Sequence, residues 1–420
     1  MSKLERLIQQ YCPDGVEYVP LSSIGTIKRG NGLQKKDFVK AGIGCIHYGQ
    51  IYTKFGLFTN KTLTYVDKEL ADHLLHIEKG DLVIACTSEN VEDVCKAVAW
   101  LGDDSIVTGG HSCVLHHNQN PKYIAYFFQT ESFQRQKRKY AYGTKVIDIK
   151  PDSIGKIEIP LPPLPVQEEI VRILDAFTEL QAELQAELQA ELQKRKQQYN
   201  YYLDNLLNFK NINRRGGYQA EVRWMKMSEV FEIRNGYTPS KAKKEFWEGG
   251  TIPWFRMEDI RQNGRILSDS ILHITPKGVK GKGLFKANSF ILATTATIGE
   301  HALIIVNSLA NQQFTNLSIC KSLENELSVK YVYYYFFVID EWCKANTNVS
   351  NFASVDMSKF YNLLIPIPSI AEQQRIVAIL DRFDTLTTDL TQGLPAEIEK
   401  RRQQYEYYRD KLLTFKRKGA

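Results

Sequence analysis

Histidine, cysteine and acidic residues at short spacings are where hydrolytic or metal chemistry would have to sit in this chain. His73 and His76 stand three apart, and Cys113 stands three before His116, but neither pair has a second pair at a zinc-like distance. Pro151-Asp152 followed by Glu158 is a faint nuclease pattern, and Pro160 occupies the place where that pattern wants lysine. Methylation of an exocyclic amine needs Asp or Asn before Pro-Pro-Tyr or Pro-Pro-Phe, whereas Pro162-Pro163 sits between leucines. GVKGKG from Gly278 lacks the spacing and terminal Lys-Ser/Thr of a phosphate loop, and no GxGxxG follows a strand. Structural roles are the better reading of these groups, so no catalytic residue and no metal ligand is expected.

Other residues suit hydrogen bonding to a nucleic acid. Phosphate contacts position a protein on DNA, and base-edge contacts specify sequence. For positioning, KRGNGLQKK supplies Lys28, Arg29, Asn31, Gln34, Lys35 and Lys36, and RNGYTPSKAKK supplies Arg234, Asn235, Tyr237, Thr238, Ser240 and Lys241. Gly30 and Gly236 in these loops would let the backbone approach a phosphate. Two-point base reading suits amides, guanidiniums and imidazoles. His47, Tyr48 and Gln50 in IHYGQI fit that need, as do Arg256 and Glu258 in WFRMED, where Glu258 would accept from a cytosine amine. Thr144 and Lys145 in YGTKV and Ser350 and Asn351 in VSNF form a third pair of loops. For each residue singly, a solvated turn is an equal alternative. Gln312 and Gln313 serve equally well as internal partners of a strand end.

The elements that must position these loops occur twice. IPLPPLPVQEEIVRILDAF from Ile159 returns as IPIPSIAEQQRIVAILDRF from Ile365, and RKQQYNYYLDNLLNF from Arg195 returns as RRQQYEYYRDKLLTF from Arg401. Pro160 to Pro366 is 206 residues, and so is Tyr199 to Tyr405. VEYVPLSSIGTIKRG from Val16 matches VRWMKMSEVFEIRNG from Val222 weakly at the same offset. A repeat this long is a duplicated domain plus helix rather than a solenoid unit. It predicts a pseudo-two-fold, which suits a target with two half-sites, DNA being the commonest.

Four segments follow: globular blocks over 1–160 and 210–366, and helical spacers over 161–209 and 367–420. Each block is expected to be an α/β or α+β globule. DLVIACTS from Asp81 and NSFILATTATIG from Asn288 read as buried strands at matching places. The aromatic runs from Tyr123 and Tyr331 read as packing helices rather than base-stacking platforms. Elsewhere the blocks diverge.

Pro160, Pro162, Pro163 and Pro165 predict a stiff extended lead-in to the first spacer. From Val166 to Phe209 is 44 residues, about 66 Å of helix. Its stripe Ile170, Phe177, Leu184, Leu188, Leu192, Tyr199, Leu206 is matched by Ile376, Phe383, Leu390, Leu394, Ile398, Tyr405, Leu412. Both are near-heptad, which predicts two antiparallel coiled-coil helices. Gly393 and Pro395 interrupt the QAEL-like pattern in the second copy, where a kink or break is expected.

Composition sets bounds. The 420 residues carry 43% hydrophobic and 24% charged side chains and a net charge of +6, mildly basic and permissive of phosphate binding. No apolar run approaches a membrane span, and MSKLERLIQQYCPDG has no apolar signal core. Seven scattered cysteines without a CxxC pair predict reduced thiols in a cytoplasm.

The CPDGVEYVPL opening, both P-L-P/P-I-P lead-ins, both Q-x-x-I-V-x-I-L-D starts and both Q-Q-Y-x-Y-Y-x-D-x-L-L ends resemble the specificity subunits of type I restriction–modification systems. The QAEL run resembles the tetrapeptide repeat in the central spacer of some members. GCIHYGQI from Gly44 and GTIPWFRMEDI from Gly250 resemble segments of their target-recognition domains. The resemblance covers essentially the whole chain. It implies two target-recognition domains, each reading half of a bipartite double-stranded DNA sequence. It also implies repeated helices that space them and bind two modification (methyltransferase) subunits, with restriction (translocase/endonuclease) subunits recruited. This chain would hold no cofactor, with SAM, ATP and Mg belonging to the partner subunits. A stand-alone restriction enzyme would need nuclease and methyltransferase motifs that are absent here. A coiled-coil scaffold unrelated to DNA leaves unexplained why the globular blocks diverged while the spacers did not.

Overall fold

The computed structural model describes residues 1–209, 222–348, 353–388 and 393–419. The chain divides into two compact units: unit 1 is Met1–Leu188 with Glu397–Ala420, and unit 2 is Gln189–Ala396. Each unit takes helix from both copies of the repeat.

In unit 1 a five-stranded sheet runs in the order Gly25–Arg29, Ser112–His117, Leu82–Ala85, Ala97–Trp100, Phe58–Thr59. The first four strands are antiparallel neighbours and the last pair is parallel. Unit 2 repeats that order and polarity with Phe231–Asn235, Phe314–Ile319, Ser289–Ala293, His301–Ile304 and Ile266–Leu267. The expected strands in DLVIACTS and NSFILATTATIG are the central, wholly buried members. Such strands are covered on both faces, which is why they read as unbroken apolar runs rather than alternating ones. The 206-residue offset also holds at the start of each unit. There an edge strand (Tyr18–Pro20 or Arg223–Lys226), a short helical turn and a first sheet strand follow one another. Each edge strand pairs antiparallel with the strand before a spacer helix, Glu158–Pro160 or Leu364–Ile367.

Six helices complete the frame: α1 (Lys3–Tyr11), α2 (Pro121–Phe127), α3 (Leu164–Leu207), α4 (Val329–Ala345), α5 (Ile370–Thr388) and α6 (Leu394–Leu412). The aromatic runs lie on α2 and α4, where Tyr123, Tyr126, Tyr331 and Tyr334 are at most 1% exposed, so they are core. Helix α3 is 44 residues long and starts at Leu164. Pro165 is therefore inside its first turn rather than in an extended lead-in. The first-turn N–H has no intrahelical acceptor, so proline costs little there. Pro395 likewise sits in the first turn of α6, after α5 has ended at Thr388. Leu390 of the expected stripe lies outside the described residues.

Helices from the two repeats pair inside each unit. In unit 1, Phe177 meets Tyr408 at 6.2 Å and Thr178 shares a 2.8 Å hydrogen bond with Tyr405, so α3 and α6 run antiparallel. In unit 2 the equivalent pair, Tyr202 and Phe383, stacks at 5.1 Å between α3 and α5. The repeated motif also clamps helix to globule. Gln167 accepts from Asn120 N at 3.1 Å, and Asp175 accepts from Tyr126 at 2.9 Å and Lys122 at 2.7 Å. Gln373 and Asp381 do the same for Ser328, Tyr334 and Lys330. Unit 1 is closed by the chain ends: Val16 N donates to Lys416 O at 2.9 Å and Lys418 N to Val16 O at 3.0 Å.

The expectation of seven free thiols is corrected at one pair. Cys113, on the strand Ser112–His117, and Cys86, just past the end of the neighbouring strand Leu82–Ala85, have Cα atoms 6.2 Å apart and are joined as a disulfide. Among the described residues, no helix is long and apolar enough to cross a membrane and no cluster of metal-ligating groups occurs.

Candidate nucleic-acid interface

Four loops converge at one place in unit 1. The first follows the strand ending at Arg29, the second is the turn into the short helix Tyr48–Thr53, the third is Gly109–His111, and the fourth spans Tyr142–Asp148. Arg29 ties two of them, forming a bidentate ion pair with Asp148 (2.9 and 2.6 Å) and donating from Nε to Gly110 O at 3.0 Å. Tyr48 lies between two imidazoles, with ring centroids 4.6 Å from His47 and 4.7 Å from His111. His111 is held by Thr87 Oγ1 at 3.0 Å from Nδ1. Tyr142 OH donates to Asp148 Oδ1 at 3.1 Å, and the tip beyond it carries Thr144 and Lys145, both exposed.

Unit 2 assembles equivalent loops from different residues. Arg234 donates to Gly283 O at 2.7 Å and Leu284 O at 3.1 Å. Asn235 accepts from Thr315 at 3.1 Å, and the Thr238 hydroxyl donates to Gln312 at 2.5 Å. Tyr237 OH donates to Gly278 O at 3.1 Å and accepts from Lys280 N at 2.6 Å. Asn311 N donates to Phe255 O at 3.0 Å, bringing the loop Asn311–Gln313 against the end of the strand Ile252–Phe255, which Arg256 follows. The fourth loop is the hairpin of Thr347–Asn348 with Ser354–Val355. Its tip, with the candidates Ser350 and Asn351, lies outside the described residues.

The expected site residues thus divide. Lys28, Asn31, Lys35, Lys36, Thr144, Lys145, Lys241 and Glu258 are exposed. Arg29, Arg234, Asn235, Tyr237 and Thr238 have partners within the protein and hold loops together. Gln50 links two elements, accepting from His47 N at 3.0 Å and donating to Thr64 at 3.2 Å. The expectation that Gly30 and Gly236 admit a phosphate gives way to a nearer cause. A Cβ at Gly30 would lie 2.5 Å from Gly109 O, and one at Gly236 would lie 2.2 Å from Asn311 O. It is the protein's own backbone that approaches.

His111, Tyr142 and Asp148 were missed, as was the GVKGKG loop. It was set aside for lacking the spacing of a phosphate loop, yet Arg234 and Tyr237 fasten it beside their own loop, where Lys280 and Lys282 are exposed. The signal was alternating glycine and lysine near an aromatic-basic turn. Electrostatically, burial lowers the pKa of His47 below its ordinary value, and the Lys35 charge and His111 add to the effect.

Comparison with known proteins agrees with this duplicated arrangement. The family model for the type I restriction modification DNA specificity domain matches twice, at residues 13–194 and 220–400. The EcoR124I/EcoR124II specificity subunit of Escherichia coli is 36% identical over 437 aligned positions, covering 99% of this chain and 97% of that one. The EcoprrI specificity subunit of Escherichia coli is 54% identical over 204 residues, covering 47% of this chain. In that match the chain spans about half (51%) of the relative's length. A solved chain from a study of complex assembly and conformational transition of the type I R-M system has a similar fold. Its TM-score is 0.71 at 17% identity, over 95% of this chain and 97% of that one. The HsdS subunit from Thermoanaerobacter tengcongensis gives 0.59 at 17% identity, over 96% and 97%. The chain belongs to the type I restriction–modification DNA specificity family, with two copies of the specificity domain.

Proposed function

We propose that this chain is the sequence-recognition subunit of a type I restriction–modification complex and supplies no chemistry of its own. Each unit reads one half of a split double-stranded DNA target, and the repeated helices space the halves. The helices also dock two modification subunits, and restriction subunits join that core. SAM, ATP and Mg belong to those partners, and the complex works in the cytoplasm. The observation that carries this reading is that the two units repeat one loop arrangement with different side chains at the loops. A shared frame with divergent tips suits two readings of one kind of ligand.

The test is DNA binding by the chain co-purified with its host's modification subunits. Binding should require both halves of one duplex sequence, and log K should fall linearly with log salt because phosphate contacts release counterions. Equal affinity for scrambled halves would defeat the proposal.

A further inference from the structure

Two short helices occupy equivalent places in the units and begin on different side chains. In unit 1 the strand Ile43–Ile46 runs parallel to Ile106–Thr108 and leads into His47, the N-cap of Tyr48–Thr53. In unit 2 the strand Ile252–Phe255 runs parallel to Leu309–Ala310 and leads into Arg256, the N-cap of Met257–Asn263. The third helical residue caps the backbone in both: Gln50 Oε1 accepts from His47 N at 3.0 Å, and Asp259 Oδ2 from Arg256 N at 2.7 Å. The loops beside these caps, Gly109–His111 and Asn311–Gln313, are equivalent as well.

Arg256 is held by its own fold through one loose ion pair and no side-chain hydrogen bond. A guanidinium has no acceptor with which to cap a helix. Its Nε forms a loose ion pair with Glu258 Oε2 at 3.8 Å, beyond hydrogen-bond range, and is itself shut off from solvent without a hydrogen-bond partner, while the side chain as a whole is 27% exposed. The guanidinium makes no hydrogen bond among the described residues. A shielded N–H without a hydrogen-bond acceptor is costly. A ligand that brings acceptors would remove that cost.

His47 is set up differently. Its Nδ1 accepts from Gly49 N at 3.2 Å, so the neutral ring carries its proton on Nε2, which has no partner among the described residues. Burial favours that neutral form. The position therefore offers one donor in unit 1 and a donor fork in unit 2.

We infer that this N-cap position determines specificity: Arg256 reads a guanine through paired donors to O6 and N7, and His47 reads a single base acceptor in the other half-site. The inference rests on the reading of the two units as DNA-recognition domains. The donor fork matches guanine because guanine alone presents two adjacent acceptors in the major groove.

The test is the methylated motif produced in cells by the complex carrying the wild-type chain, Arg256→Lys, Arg256→Ala or His47→Ala. Wild type should give a split motif. Arg256→Ala should lose roughly tenfold to a hundredfold discrimination at one guanine of one half, and Arg256→Lys a smaller part of it, with the other half unchanged. Lysine keeps the charge and some donor capacity but not the planar fork, so base reading predicts a graded loss from arginine to lysine to alanine, whereas a merely electrostatic or structural role would leave the base preference intact in both variants. His47→Ala should relax one position in the opposite half. Should a variant fail to fold, 7-deazaguanine at each guanine of a wild-type target, assayed with the purified complex, replaces it. Binding should then drop about tenfold at one position. A split motif with no change in base preference in either Arg256 variant, or indifference to every 7-deazaguanine, overturns the assignment alone. A wild-type complex that produces no split motif overturns the functional reading with it.

Discussion

Gln373 accepts the backbone N–H of Ser328 on Oε1 at 2.8 Å, although the two are 45 residues apart. Its amide also donates to Glu326 O and Pro368 O, each at 2.8 Å, and the side chain is fully buried. The Q-x-x-I-V-x-I-L-D motif is thus a fastening between spacer helix and globule. Gln373→Ala would leave one N–H and two carbonyls unpaired and is expected to cost about 2–4 kcal/mol. Urea denaturation should show a lower midpoint with an unchanged slope.

Gly236→Ala would press a methyl group to 2.2 Å from Asn311 O and 2.5 Å from Ala310 O. Both obstacles are backbone, so the loop must move. We expect about 1–3 kcal/mol of destabilisation, the ordinary cost of overpacking, read by thermal melting. The same change should weaken DNA binding, because it displaces the loop from Arg234 to Thr238.

The duplicated frame was legible because its determinants are local: apolar runs in Leu82–Ala85 and Ser289–Ala293, helix formers in α3, and a constant 206-residue offset. The sharing of helix between the two copies was not. It depends on which helix lies beside which, a fact carried by Thr178 with Tyr405 and Tyr202 with Phe383, not by either stretch alone. At the loops, residue type separated polar tips from core but not exposed lysines from partnered arginines. Arg29 reads like an exposed lysine in the sequence, and its ion pair with Asp148, 119 residues away, is visible only in the fold.

Deleting Gln185–Leu188 removes one QAEL unit from α3, about 6 Å of helix and slightly more than one turn. The residues beyond keep nearly the same face. With base pairs about 3.4 Å apart, the permitted gap between half-sites should change by about two base pairs while both half-site sequences persist. Altered half-sites with an unchanged gap would contradict this, and methylation mapping of the deletion strain distinguishes the outcomes.

His301 is fully buried, with Nδ1 2.7 Å from Asp340 Oδ2 and Arg265 Nη1 3.3 Å from the same oxygen. Burial lowers its pKa, outweighing the opposite pull of Asp340. The folded state therefore refuses a proton that the unfolded chain accepts below about pH 6.5. This contribution to stability is intact above that pH and is lost as pH falls toward the folded value. Hydrogen exchange in the strand His301–Ile304 should quicken as pH falls below about 6.5 relative to a His301→Gln chain. A constant difference across that window would show that His301 does not titrate against folding.

The most direct test of the account is single-molecule methylation sequencing of the host genome with this gene intact and deleted. Loss of one split motif, two short defined halves around a fixed unspecified gap, is the predicted result. An identical methylation pattern in both strains, with this chain and its modification subunits expressed in the intact one, would contradict it.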